Sequence, residues 1–314
     1  MIVELIIILL TILIIILCNH YNASKIFFIN IFTIFFILSV TCFIFFYMSN
    51  DNNMFLFKWI GSVWMPLAFG LALLHSSYTI GNKNTAIFFS ISLFLGFLSE
   101  YLGTAYGIFF GHYYYNLQTF FFGYVPFNTP ISWAIIIYIC YTLTSIFFKG
   151  FAGLNPKIED MSIQDKLGLI IILSLIDGLI AMNLDMILDP VSVAPGVAGW
   201  VWIGGGEYFG VPISNFIGWF LVAFIATFFF RLYLFTIEKE RYKNIFTPYI
   251  YMYMVLLYLI YLFIHGFIAI SLLHNEYVLI GVAAMLPFCL IAMLWFYIQS
   301  RLTNIIDRED SKDE

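Results

Sequence analysis

Charge is scarce in this chain. Only 10% of its 314 residues are Asp, Glu, Lys or Arg, while 63% are hydrophobic, and soluble globular domains carry about 25% charged residues. A water-soluble globule is thereby excluded. Cysteine is scarce too: Cys18, Cys42, Cys140 and Cys289 all lie inside apolar runs with no CxxC spacing, the pattern of small buried residues rather than of a redox or metal site. A cleavable leader is not expected either. The run Leu5 to Leu17 follows Glu4 instead of basic residues, and no small-x-small site comes after it. No internal repeat and no low-complexity linker is visible, and the formal charge of −5 owes much to an acidic tail, Asp307 to Glu314.

What the chain does have is long apolar runs. Roughly 17 to 25 apolar residues cross ~30 Å of hydrocarbon as a helix. Nine such windows are expected as spans: Ile2 to Cys18, Ile26 to Met48, Trp59 to Ile80, Thr85 to Leu102, Pro130 to Phe148, Leu167 to Leu188, Val211 to Phe235, Pro248 to Leu273 and Tyr277 to Gln299. The expected fold is an all-α, polytopic integral membrane helical bundle, a single membrane domain over residues 1–314 with a motif-bearing core at 59–231 and an acidic cytoplasmic tail at 300–314.

Alternation gives each loop a side. The N-terminus and the loops around Asp51, His112, Gly199 and Asn275 hold Lys58 alone; every other Lys and Arg, from Lys25 through Arg231 to Lys312, falls on the opposite side. The basic side is expected to be cytoplasmic, with the N-terminus outside and the C-terminus inside the cell membrane. The sequon Asn22-Ala23-Ser24 then lies on the cytoplasmic side.

Two outer connections, Gly103 to Thr129 and Pro190 to Gly210, are too aromatic for hydrated loops, and their Gly and Pro residues stop them from continuing as spans. Half-inserted or interfacial segments that floor a pocket are expected there. Between Ser99 and Trp219 the chain also carries Glu100, Asp177, Asp185, Asp189 and Glu207, with no Lys or Arg within nine residues of any of them. Acids in lipid cost at least ~2.5 to 3.5 kcal/mol at mid-bilayer, so they face a cavity, a partner or a reaction. At ~1.5 Å per residue, Asp177 falls near the midplane and the other four in one outer-leaflet layer.

Each acid also has a bland reading. Asp189-Pro190 would end a helix, Glu207 would be a wetted loop residue, Glu100 an interfacial acid, and Asp177 or Asp185 a hydrogen-bond partner of Asn183, Asn215 or a tyrosine. Tyr113, Tyr114, Tyr115, Trp200 and Trp202 would form an interfacial belt. His112 has no second histidine near it in sequence, so no metal site is expected, and Gly204-Gly205-Gly206 lacks the Lys of a phosphate loop.

These runs resemble the CruF-type carotenoid hydratase family, carotenoid biosynthesis proteins that include bisanhydrobacterioruberin hydratase. The resemblance rests on Glu100-x-x-Gly103-Thr104-x-x-Gly107-x-x-Phe110-Gly111-x-Tyr113, Val125-Pro126, Pro130-x-x-Trp133, Asp177, Leu184-Asp185-x-x-x-Asp189-Pro190 and Trp200-x-Trp202. It continues in Tyr208-Phe209-Gly210-Val211-Pro212-x-Ser214-Asn215-Phe216-x-Gly218-Trp219. It covers roughly Trp59 to Arg231 and implies addition of water to a terminal trisubstituted C=C of a long isoprenoid.

That reaction needs a proton delivered to the less substituted carbon and water captured by the resulting tertiary cation. The donor is a carboxylic acid that keeps its proton near neutral pH, which burial without a positive neighbour and a second carboxylate close by both favour. On this reading Asp185 or Asp177 protonates the alkene, and Glu100, Asp189 or Glu207 orients and deprotonates the water. Tyr113, Tyr115, Trp202 and Tyr208 line the pocket, and Asn215 holds the water. No cofactor and no nucleic-acid partner is expected; the partners are lipid and an apolar polyene or isoprenoid entering from the bilayer.

Two rival readings differ in class. Asn183-x-Asp185-x-x-x-Asp189 faintly resembles the aspartate motifs of Mg²⁺-dependent intramembrane prenyltransferases, although the outer layer offers only Lys58 to a diphosphate. A proton-coupled or lipid transporter would use Asp177 as a relay. Magnesium dependence marks the first, proton flux the second, and a product heavier by one water marks the hydratase.

Overall fold

The computed structural model describes residues 2–20, 24–48, 63–116, 120–121, 123–152, 161–195, 199–236, 248–272 and 275–310. Lys58, Asn22 and Ala23 of the sequon, residues 153–160 and 237–247, and the last four residues of the acidic tail lie outside them.

Lipid offers no partner to backbone N–H and C=O groups, so the apolar runs satisfy themselves as helices. Among the described residues these are α1 (Ile2–His20), α2 (Lys25–Met48), α3 (Trp64–Thr79), α4 (Asn82–Tyr106), α5 (Asn128–Ala152), α6 (Ile163–Val193), α7 (Ile213–Thr236), α8 (Pro248–Leu272) and α9 (Asn275–Asp310). Six of them, α2, α4, α5, α6, α7 and α8, contain stretches long and apolar enough to cross a membrane; α1 and α9 carry shorter apolar segments. The chain is a multi-pass membrane helical bundle.

Helix α5 is the central column. It packs against α3, α4, α6, α7, α8 and α9, and Ala134, Ile135, Ile137, Ile139 and Cys140 along it have no exposed surface. Helices α6 and α7 lie side by side, and α1 and α2 pack on α3 at the edge.

Local chemistry fixes where the site-bearing helices begin and end. Ser162 caps α6, its hydroxyl accepting from the Asp165 N–H at 3.1 Å. Helix α4 stops at Gly107, which is left-handed (φ 70°); the Gly107 and Ile108 amides return to the Gly103 and Leu102 carbonyls at 2.8 and 3.1 Å, a glycine-based helix stop. Helix α6 does not stop at Leu188 as expected but runs through Pro190 to Val193. Proline removes the donor to the carbonyl four residues earlier, here Met186, and the Tyr208 hydroxyl donates to that carbonyl at 3.1 Å. A foreign donor therefore carries the helix past the proline.

The all-α expectation needs one amendment. The two aromatic connections pair with each other: β1 (Tyr113–Tyr115) and β4 (Trp200–Trp202) form an antiparallel ribbon in the register Tyr113↔Trp202, Tyr114↔Val201, Tyr115↔Trp200. A second small pair joins β2 (Phe120–Phe121) to β3 (Val125–Pro126). Alternation puts Tyr113, Tyr115, Trp200 and Trp202 on one face; Tyr113 and Trp202 are buried while Tyr114 is exposed. The ribbon gives non-helical backbone its hydrogen bonds and lays its aromatic face on the helix ends.

Candidate active site

Near its end α4 carries Glu100, buried. Three neutral donors converge on its carboxyl group: Tyr113 and Tyr115 donate their hydroxyls to Oε2, the latter at 2.6 Å, and Trp133 of α5 donates its indole N–H to Oε1 at 2.7 Å. Burial, and then the Glu100 carboxylate beside them, hold both phenols well above the usual tyrosine range, so they stay protonated donors.

Aromatic rings lock this arrangement from behind. The Trp133 ring lies 4.3 Å from that of Trp219 and 6.0 Å from that of Phe110. Trp202 packs on Tyr113 at 5.4 Å and donates its N–H to the Phe110 carbonyl at 2.8 Å. Phe110 is wedged between Gly103 of α4 and Gly218 of α7, where an added Cβ would come within 2.8 and 2.5 Å of its ring. Glycine at these two positions is a requirement of space.

Asp185 and Asp189 stand one turn apart on α6 and are both buried. Asn215, in the first turn of α7, donates from Nδ2 to Oδ2 of each, at 2.6 and 2.5 Å. The two carboxyl groups also interact directly, and the charge of Glu100 acts on both. The buried acid cluster is therefore the Asn215-bridged pair Asp185 and Asp189 with Glu100 in electrostatic reach of both, and among the described residues none of the three has an ion-pair partner. The turn Tyr208-Phe209-Gly210-Val211 delivers α7 to this place. Its central residues have positive φ, 49° at Phe209 and 88° at Gly210, and Tyr208 and Val211 exchange backbone hydrogen bonds of 3.0 and 2.9 Å.

The other two acids are elsewhere. Glu207 is exposed, and its Oε2 accepts from the Ile213 N–H at 3.3 Å, capping α7. Asp177 lies two turns below Asp185, about 12 Å along the helix. It is ion-paired with Arg231 of α7, which also donates to Ser174 at 3.2 Å and sits 4.9 Å from the Tyr141 ring centre. The expectation that no acid has a countercharge therefore fails at Asp177, because two adjacent helices bring together residues distant in sequence. Arg231 is a buried core residue and leaves the tally of cytoplasmic loop bases.

The aromatic candidates have polar duties as well as apolar ones. Tyr113 and Tyr115 hold Glu100, Trp202 holds the Phe110 carbonyl, Tyr208 holds Met186, and Asn215 bridges two acids. Trp133 was not among the candidates; the signal for it is that an indole N–H in an apolar helix needs an acceptor. Among the described residues no three His, Cys, Asp or Glu side chains are grouped as metal ligands.

A family model described as carotenoid biosynthesis protein matches residues 60–292, which takes in α3 to α8 and every residue of the cluster. No curated protein and no solved structure matches the chain.

Proposed function

The chain belongs to the carotenoid biosynthesis protein family, and from that premise we propose that it is a hydratase, adding water to a terminal trisubstituted C=C of a carotenoid or other long isoprenoid. The observation that carries this reading is the cluster itself: Glu100, Asp185 and Asp189, buried without a cation, with both aspartates on one amide.

Such a cluster is suited to acid chemistry on an apolar substrate. The aspartate pair delivers a proton to the less substituted alkene carbon, and the π electrons form the new C–H bond. The tertiary cation left behind sits near the negative charge of the cluster and near aromatic faces, each worth about 0.5 to 2 kcal/mol to a cation. Water adds to the cation through oxygen, and its excess proton returns to the aspartate pair. The acid is regenerated and the net change is one alkene plus one water giving one tertiary alcohol.

Glu100, held by three neutral donors, stays fixed while the proton moves. Tyr113, Tyr115, Trp202 and Tyr208 supply the aromatic surroundings. Nine membrane spans, with the N-terminus outside and the C-terminus inside the cell membrane, complete the reading and bring a polyene to the site from the bilayer. The test is expression of the chain in cells that make a linear polyene with terminal trisubstituted double bonds, followed by mass analysis of extracted lipid. A product heavier by one water is expected; unchanged polyene beside abundant folded protein would contradict the proposal.

A further inference from the structure

The two aspartates differ in the hydrogen bonds their oxygens make. Asn215 has two hydrogens on Nδ2, and they go to Oδ2 of Asp185 and Oδ2 of Asp189. Both Oδ2 atoms are therefore acceptors, and a proton held by the pair belongs on an Oδ1. The Oδ1 of Asp185 is buried, and no protein donor is directed at it. A buried acceptor left without a donor is destabilising, and more so when it carries charge. As O–H the same atom is a donor, and the neighbouring carboxylate of Asp189 and a bound substrate are both suitable acceptors.

The surroundings agree. Along α6, Ala181, Leu184 and Ile187 beside Asp185 are buried and apolar. Among the described residues the one buried Lys or Arg, Arg231, is taken by Asp177 two turns away. Glu100 differs in kind: both of its oxygens accept hydrogen bonds, from two tyrosines and a tryptophan, so neither needs a proton to be satisfied.

Resting on the hydratase reading for its chemical meaning, the geometry points to Oδ1 of Asp185 as the atom that carries a proton and gives it to the substrate double bond. Asp189 is the carboxylate that receives the proton of the captured water, and Asn215 is the positioning residue that keeps the two in register. The proton leaves Asp185 for carbon, the water proton arrives at Asp189, and transfer across the pair restores the starting state, so no further reactant is needed.

The proton is open to detection without substrate. A hydrophobic carbodiimide such as N,N′-dicyclohexylcarbodiimide adds the O–H of a protonated buried carboxyl across its N=C bond and rearranges to a stable N-acylurea. Treating the full-length protein in lipid vesicles and mapping the adduct by peptide mass spectrometry is expected to give modification of Asp185, retained in Asp189→Asn. An adduct on Glu100 or Asp189 in place of Asp185, or none on any of the three, would overturn the assignment.

Turnover gives the second arm. Asp185→Asn lowers hydration about 10²- to 10⁴-fold, the range of a lost general acid, at every pH. Asp189→Asn keeps measurable turnover and loses the acidic limb of the pH–rate profile. The reverse pattern would overturn the assignment. Labelling on Asp185 in a protein that hydrates no polyene would remove the hydratase reading and leave the proton where it is placed; hydration with the label elsewhere would do the opposite.

Discussion

Arg231 of α7 meets Asp177 of α6 in an ion pair buried from lipid and water alike, two turns below the acid cluster. The contact is between Arg231 Nη1 and Asp177 Oδ2, while Asp177 Oδ1 and Arg231 Nη2 have no hydrogen-bond partner, so the pair is held by its mutual attraction, Ser174 and the Tyr141 ring. Removing one partner of a buried pair leaves a bare charge and costs about 3 to 5 kcal/mol, whereas replacing both by apolar residues is often neutral. Arg231→Met is therefore expected to destabilise the protein strongly, and Arg231→Met with Asp177→Leu to regain most of the loss. Thermal unfolding in detergent reads both, and a double variant no better than the single would show that the pair does more than clamp two helices.

The Phe110 wedge gives a packing prediction. Alanine at Gly218 would put its Cβ 2.5 Å from the Phe110 ring, which is also confined by Gly103. Overpacking of this kind costs about 1 to 3 kcal/mol, and moving Phe110 disturbs the Trp202 hydrogen bond and the Trp133 stack. Gly218→Ala should lower the unfolding temperature and the hydration rate together. A variant of normal stability and activity would mean that Phe110 is free to shift.

The tyrosines that hold Glu100 make a pH prediction with a definite sign. Burial and the adjacent carboxylate keep the phenols of Tyr113 and Tyr115 protonated beyond the usual range. Above about pH 10 the unfolded chain releases protons that the native state retains, so stability falls as pH rises. Replacing both tyrosines with phenylalanine should make that fall less steep. Unfolding temperatures measured from neutral to strongly alkaline pH decide it; identical slopes for wild type and double variant would contradict the assigned environment.

Asn215→Leu removes both donors of the aspartate bridge while leaving every carboxyl group in place. A positioning role predicts a large drop in kcat with little change in KM, together with a displaced pH–rate profile. A variant that is merely less stable would keep the wild-type profile per folded molecule, and steady-state kinetics over a pH series distinguishes the two.

Much of the bundle was legible in the sequence because lipid leaves the backbone few options. The window Thr85 to Leu102 appears as Asn82–Tyr106, and Pro248 to Leu273 as Pro248–Leu272. Glu100, Asp185, Asp189 and Asn215 were legible as candidates because polar groups in apolar helices are expensive. The ribbon was not, since three-residue strands such as Tyr113–Tyr115 are too short to show a period, although Tyr-Tyr-Tyr and Trp-Val-Trp are β-favouring triplets. Pro190 reads as a stop because nothing local shows that Tyr208 replaces the missing donor. The partner of Asp177 was hidden for a similar reason: Arg231 is distant along the chain and meets it only when α6 and α7 pack.

Single carboxyl-to-amide replacement, assayed by the yield of polyene product heavier by one water, tests most directly whether the buried cluster does the chemistry. Glu100→Gln and Asp185→Asn are each expected to cut the yield severely in protein that still folds, Asp189→Asn to lower it while leaving measurable product, and Glu207→Gln, at an exposed helix cap, to leave it near wild type. Full activity in all three cluster variants, or a loss in Glu207→Gln as deep as in Asp185→Asn, would contradict it.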